Sequence, residues 1–530
     1  MKPRTIEIFD TTLRDGAQGE GISFSLEDKL NIAQKLCKLG IAFIEAGNPG
    51  SNPKDMEFFR RAGELELGQT QLVAFGSTRK KDTPVERDEG CAALLSAGTR
   101  WVAIFGKSWD LHVRDVLRTT LPENLRMIRD TVSFLKEQGR QVVFDAEHFF
   151  DGYKSDPDFA RQAVLAARDA GADRIVLCDT NGGTFPEEIG RVTQEMVELL
   201  GVPVGIHAHN DTGCAVAAAM AAVEAGASQV QGTYIGFGER CGNTNLSTII
   251  PNLQMKKGYR CIPEDKLVRL GKTARYIAQV TNLVLSPNMP YVGRSAFAHK
   301  GGMHVDGVAK NTLSFEHITP ESVGNRRQIL LSEFAGRTAI AGKIAALDSS
   351  ITRDSQVTAE LIEKLKGLEY QGFAFESAAA SFELFALKQL GKYRPAFDLE
   401  YFKTLGEQPA VNVERCCSAI VKVRVGESIE MTSAEGDGPV HALDIALRKA
   451  LEVFYPCLSQ VRLIDYKVRV MEGHRATAAI VRVLIESTDG VSTWTTVGCS
   501  ADIIDASWQA LRDSMEYKLM KDGAVSGPVA

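Results

Sequence analysis

Over roughly the first 260 residues one pattern recurs: a short apolar run, a loop, then a longer stretch with apolar residues at helical spacing. The short runs predict strands at Thr5–Asp10, Ala42–Ala46, Gln71–Phe75, Trp101–Phe105, Gln141–Phe144, Arg174–Cys178, Val204–Ala208 and Val230–Ile235. They are rich in β-branched and aromatic residues, as suits parallel strands buried on both faces. Their starts lie about 30 residues apart, the length of a βα unit. Between them helices are predicted at Leu26–Leu39, Asn124–Glu137, Phe159–Ala170 and Cys214–Ala225. Several helical stretches end in a glycine stop, at Gly40, Gly98, Gly139, Gly171 and Gly226. Eight such units predict an α/β fold closed as a (β/α)8 TIM barrel over residues 1–270. No GxGxxG follows the first strand, which removes the main reason to prefer an open doubly wound sheet.

The pattern changes twice more. Residues 271–394 read as a helical linker region with a glycine-rich knot at Lys300–Gly302 and a boundary near Gly391–Pro395. Residues 395–530 read as an α+β domain. Its predicted strands are Ala419–Val425, Ser428–Thr432, Val461–Met471, Thr477–Ser487 and Ser492–Val497, and its helices are His441–Phe454 and Asp502–Lys518. Strands, an acidic loop and a helix occur twice, so the domain is expected to be an internal repeat suited to dimerisation or effector binding.

Composition narrows the function. Hydrophobic residues make up 44% and charged residues 24%, the balance of a water-soluble chain. Lys plus Arg total 61 against 67 Asp plus Glu, and a net charge of -6 argues against nucleic-acid binding through overall positive charge. Ten cysteines occur without CxxC spacing, so neither a zinc ribbon nor a disulfide framework is expected. The opening MKPRTIEIFD has no apolar run behind its charges, so no secretory leader is expected. No run of about 18 apolar residues suggests a membrane span. The expected setting is a reducing cytoplasm.

A barrel puts its chemistry at the C-terminal ends of the strands. After the first strand, FDTTLRDGAQ gathers Asp10, Arg14, Asp15 and Gln18. The seventh runs into GIHAHND, where strand alternation turns His207 and His209 to one side. After the eighth comes GFGERCGNTN with Asn243. Closing the barrel sets strand eight between strands seven and one, so Asp15, His207, His209 and Asn243 are expected to converge. This cysteine-free O/N set suits Mg2+, Mn2+ or Zn2+ with a position left for substrate. Glu147, after the fifth strand, is a candidate for orienting or transferring a proton. Thr180, after the sixth, has a hydroxyl suited to a substrate carboxylate, and Gln18 is a second candidate substrate contact. Outside the barrel, AFAHKGGMHVDG offers His299, His304 and Asp306, with His304 and Asp306 read as an oriented base.

FDTTLRDGAQ, HAHND, GERCGNTN and AFAHKGGMHVDG, in that order, resemble the signatures of the α-isopropylmalate, homocitrate and citramalate synthases, the DRE-TIM metallolyases. The resemblance covers essentially the whole chain. DGAQGEGISFS and DAEHFFDGYK are most similar to the bacterial citramalate synthase branch. The resemblance implies a divalent metal on Asp15, His207, His209 and Asn243, catalytic roles for Arg14, Glu147 and His304, and a hold on the oxo acid by Thr180. It implies condensation of acetyl-CoA with a 2-oxo acid, pyruvate in this branch, in a homodimer whose last domain answers an effector, with isoleucine expected. The alternatives are a 2-isopropylmalate or homocitrate synthase, or an aldol-type lyase of the same superfamily. Two departures stand out. Ala17 occupies a place where leucine-pathway members usually carry glutamate, and Phe315 one where tyrosine is often seen.

Overall fold

Eight parallel strands close a barrel in chain order. They are β1 (Glu7–Asp10), β2 (Phe43–Gly47), β3 (Gln71–Ser77), β4 (Trp101–Lys107), β5 (Gln141–Glu147), β6 (Arg174–Asp179), β7 (Val204–Ala208) and β8 (Gln229–Gly232). The seam is β8 against β1, with Gln229 opposite Glu7 and Gly232 opposite Asp10. The computed structural model describes residues 3–63, 65–330, 344, 355–406, 417–471 and 479–523.

Two strands are shorter than the apolar runs predict. Thr5 makes only an isolated bridge to Arg260. The chain leaves β8 at Gly232, where a Cβ would lie 2.2 Å from the Thr244 carbonyl oxygen. The loop carrying Asn243 folds back against the strand there, and Ile235 turns to a φ of 64°.

Alternation along the strands sorts the side chains. Phe9, Phe43, Val73, Trp101, Ala103, Val143 and Val176 fill the barrel's middle. Phe43 stands edge-on to Trp101 with centroids 5.0 Å apart. Their neighbours Ile8, Ile44, Ala74, Val102, Phe144, Ile175 and Ile206 face outward beneath the helices. Each such large side chain contributes about 1.5–3 kcal/mol on burial. Two residues beyond this apolar plug, the inward register reaches Glu45, Phe75, Phe105, Asp145, Cys178, His207 and Gln231. Polar side chains therefore flank the plug at both ends, as an Arg174–Glu7–Gln229 cluster at the N-terminal end and as this second group at the C-terminal end. The predicted helix Leu26–Leu39 is present, opened by a capping box between Ser25 and Asp28 and closed by Gly40 at a φ of 97°.

The chain divides into two compact units, Met1–Phe297 with Ile318–Arg327, and Ala298–His317 with Gln328–Ala530. Contacts draw this division, whereas the boundaries at 270 and 394 follow composition.

In the second unit, β9 (Ala298–His299) pairs with β10 (Gln328–Ile329). Two three-stranded antiparallel sheets follow: β11 (Asp398–Gly406), β12 (Cys417–Val425) and β13 (Ser428–Gly436), then β14 (Arg462–Val470), β15 (Val481–Thr488) and β16 (Thr493–Ser500). Each sheet runs into a long helix, Pro439–Glu452 and Ile503–Lys521 respectively. Both first strands shift register one residue after their start, at Leu399/Tyr401 and Leu463/Asp465, so the repeat read from the sequence extends to its irregularities. The two halves share one core, including Val421, Leu447, Ile485 and Leu511. β11 was not predicted, because most of its positions are exposed and its pattern carries no clean apolar face. Residues 477–478 of the expected strand Thr477–Ser487 lie outside the described residues, as do 331–343 and 345–354 of the expected linker. Among the described residues no helix is long and apolar enough to cross a membrane.

Candidate active site and metal centre

The seam of the barrel brings together the four residues expected to share an ion. Asp15 follows β1, His207 lies in β7, and His209 lies just beyond β7 in an isolated bridge with Asn243. His207 Nε2 lies 3.2 Å from Asp15 Oδ2 and 3.3 Å from His209 Nε2. Asn243 Nδ2 lies 3.2 Å from Asp15 Oδ2 and 3.3 Å from His207 Nε2. Asp15, His207 and His209 offer ligand atoms within 4.8 Å of one another, and all three are buried.

The donor set fits a divalent cation on its own chemistry. Two imidazole nitrogens face each other beside a carboxylate, away from bulk water. Among the described residues His209 Nδ1 and Asn243 Oδ1 are buried with no hydrogen-bond partner, and a half-turn of the Asn243 amide presents Oδ1 to the cluster. Burial followed by the neighbouring His207 pushes His209 down to about 3, so its lone pair is available at neutral pH. Burial opposes ionisation of Asp15, but the Arg14 charge and the His207 hydrogen bond hold its carboxyl well below the usual range. Oxygen and imidazole donors without sulfur suit Mg2+, Mn2+ or Zn2+.

Arg14 is fixed from three sides. Its Nε donates to Glu45 Oε1 at 2.6 Å, its Nη1 lies 3.5 Å from Asp15 Oδ2, and its guanidinium sits 3.8 Å from the centre of the Phe75 ring. Glu45 is fully buried, and burial raises its carboxyl against the pull of Arg14. Behind the ligands, His207 Nδ1 meets Gln231 Oε1 at 2.9 Å, and Gln231 Nε2 donates to Asp145 Oδ1 at 3.1 Å. Burial, followed by the Glu45 charge, raises Asp145 to about 7. The sequence reading missed Glu45, Gln231 and Asp145. Their signal was a polar residue at an inward position of a buried strand, next to apolar or small neighbours.

A cavity of about 200 Å³ opens over the cluster, lined by Arg14, Asp15, Gln18, Glu147, Thr180, His207 and His209. Phe75 and Phe105, stacked with centroids 5.4 Å apart, form an apolar wall. Glu147 forms an ion pair with Lys107, its register neighbour on β4 and another residue the sequence reading passed over. Thr180 Oγ1 accepts from the His148 backbone N–H at 2.9 Å, which leaves its own hydroxyl hydrogen for an occupant of the cavity. His304 and Asp306 belong to the second unit, on the helix Gly302–Lys310. Residues two apart on a helix do not face each other. There His304 stacks on Phe315 with centroids 4.1 Å apart, and Asp306 pairs with Lys310 at 2.6 Å.

The HMGL-like family matches residues 5–284, a homocitrate synthase post-HMGL domain matches 291–372, and the LeuA allosteric (dimerisation) domain matches 376–519. The chain is 50% identical to the (R)-citramalate synthase of Synechocystis sp., covering 98% of this chain and 97% of that one. It is 51% identical to the (R)-citramalate synthase of Aquifex aeolicus, covering 98% of each. The chain belongs to the HMGL-like family, in its citramalate synthase branch. A probable 2-isopropylmalate synthase of Methanopyrus kandleri is 34% identical over 96% of this chain and 97% of its own.

In this family member Gln231 has a role that can be measured. By accepting from His207 Nδ1–H it selects the tautomer whose Nε2 lone pair faces the ligand cluster. Gln231→Leu is expected to weaken Mn2+ binding about 10–100-fold, the usual cost of losing such a partner. Unchanged affinity in a Mn2+ titration would show that the tautomer is set elsewhere.

Proposed function

We propose that this chain condenses acetyl-CoA with pyruvate and hydrolyses the resulting thioester, releasing citramalate and CoA. The observation that carries the reading is the convergence of Asp15, His207, His209 and Asn243 beside Arg14, in a chain about half identical, end to end, to citramalate synthases. When bound, a divalent cation supplies Lewis-acid polarisation of the acceptor ketone.

The protein's own groups do the rest. Arg14, permanently charged and held by Glu45, donates to the oxyanion that develops on the ketone oxygen. Thr180 donates its hydroxyl to the oxo-acid carboxylate, and Gln18 closes that side of the cavity. Glu147, charge-balanced by Lys107, orients the acyl donor or relays its proton. His304 is assigned as the base for the methyl proton, and Asp306, paired with Lys310, is not assigned a part in it. Phe75 and Phe105 are assigned as the apolar wall that meets the acceptor's side chain. The LeuA-like domain supports a homodimer with an effector site, assigned here to isoleucine, and the setting is assigned as cytoplasmic.

The test is thiol release from acetyl-CoA with a panel of 2-oxo acids in the presence of Mg2+ or Mn2+, with and without isoleucine. Pyruvate is expected to exceed 2-oxoisovalerate in kcat/KM by about 10–200-fold or more, since each misplaced methylene-sized group costs about 1–3 kcal/mol. Preference for 2-oxoisovalerate would move the protein to the 2-isopropylmalate branch. Absence of thiol release with every acid would remove the synthase reading.

A further inference from the structure

Arg240 stands three residues before the expected metal ligand Asn243, in the segment after β8. Its Nε donates to Asp211 Oδ1 at 2.8 Å and its Nη2 to Asp211 Oδ2 at 3.1 Å, so the guanidinium grips both oxygens of one carboxylate. The same Nη2 donates to the Thr180 carbonyl at 2.7 Å. Asp211 belongs to the loop after β7 and Thr180 to the loop after β6. One side chain therefore ties together the loops of three consecutive strands. Thr180 and Glu239 line the metal cavity, and Arg240 contacts each of them, Glu239 at 3.5 Å.

Stability does not account for this arrangement. The Arg240 side chain is 39% exposed, and an ion pair so open to water adds little to folding. Its backbone has a φ of 54°, in the left-handed region, which a residue with a side chain keeps only where its surroundings fix it. The turn after β6 closes without it. There the Gly182 N–H donates to the Asp179 carbonyl at 3.0 Å, and Thr212 donates to the Gly182 carbonyl through its N–H at 3.2 Å and its hydroxyl at 2.9 Å. Asn243 is likewise held without it, because its N–H donates to the Gly236 carbonyl at 3.0 Å and the Asn210 N–H donates to the Gly242 carbonyl at 2.8 Å. What Arg240 adds is a hold on the Thr180 peptide. It takes the carbonyl of Thr180, while the His148 N–H takes the hydroxyl oxygen.

We propose that Arg240 is a positioning residue for the acceptor, fixing Thr180 against the loop that carries Asn243 so that the oxo-acid carboxylate is met at a set place. This role rests on the reading of Thr180 as the hold on that carboxylate. The two ends of a small oxo acid are engaged from different loops, the carboxylate from the loop after β6 and the ketone from the ligand cluster on β1, β7 and the β8 segment. Nothing in the acid itself keeps those loops in step. Arg240 does so, because it bonds to the first while standing in the same loop as Asn243. Its fork supplies direction as well as charge, which a single ammonium would not.

The experiment uses the full-length protein with Mn2+ and compares wild type, Arg240→Met, Thr180→Val and the double variant. Pyruvate binding and Mn2+ binding are measured by titration calorimetry, and kinetics by thiol release. Arg240→Met is expected to raise the Kd and the KM for pyruvate about tenfold or more, since a displacement of about 1 Å at such a contact can cost about 10²-fold. The Mn2+ Kd, the KM for acetyl-CoA and the thermal midpoint should stay at wild-type values. In the Thr180→Val background the same change should add less than about twofold to the pyruvate Kd, because its effect runs through the Thr180 hydroxyl. An unchanged pyruvate Kd in Arg240→Met overturns the proposal. So does full additivity of the two changes, which would mean that the Arg240 charge attracts the anion without Thr180. An equal loss of Mn2+ affinity also overturns it, by making Arg240 a support of the ligand loop. Pyruvate binding that depends on Arg240 through Thr180, in a protein that releases no thiol, would retain this role and remove the synthase reading. Thiol release with pyruvate binding indifferent to Arg240 would do the reverse. Absence of pyruvate binding in the wild type would remove both.

Discussion

His207→Ala is expected to lower turnover by about 10³-fold or more while the barrel stays folded. His207 lies within 3.3 Å of each of the other three residues expected to hold the cation, so its loss opens the centre of the set. Lewis-acid stabilisation is worth several kcal/mol, and about 1.4 kcal/mol is a factor of ten. The cost to folding should be modest, about 0.5–3 kcal/mol, because the side chain sits above the apolar plug. Metal content and kcat should fall together, with far-ultraviolet circular dichroism unchanged. Near-normal turnover with undiminished metal would show that the reaction does not depend on this cluster.

Arg14→Gln is expected to lower kcat by about 10²–10³-fold, the usual cost of removing one donor to a developing oxyanion. Unlike the His207 variant, it should keep its metal, since Asp15, His207, His209 and Asn243 are untouched. It should also lose stability, because Glu45 is left buried without its charged partner. The pH dependence of that loss has a definite sign. Burial already raises Glu45 above its ordinary 4.5, and loss of Arg14 raises it further. The folded state then holds a proton that the unfolded chain gives up, so stability falls as pH rises above about 4.5 toward the raised value. Denaturant midpoints should therefore separate variant and wild type more at pH 8 than at pH 5. Arg14→Gln/Glu45→Gln should recover stability but not activity. Recovery of activity in the double variant would contradict the direct role of Arg14.

Most of this site was legible along the chain, and the gaps have physical reasons. Asp15, His207, His209 and Asn243 were readable because strand alternation and barrel closure are local rules applied to known spacings. His304 and Asp306, two residues apart, were paired because a carboxylate can fix an imidazole tautomer. They lie on the helix Gly302–Lys310, where that spacing turns side chains to different faces. Lys107 and Glu147 stand 40 residues apart and meet only because β4 and β5 are in register.

The amino-acid order by itself determined the eight βα units, the duplicated C-terminal sheets and the residue types at the strand ends, because periodicity and glycine stops act over a few residues. Only the tertiary structure decided that Glu45 clamps Arg14, that Gln231 orients His207, and that Arg240 joins Asp211 to Thr180. Those partnerships depend on strand register and on burial from water. Neither quantity exists until the sheet closes on itself.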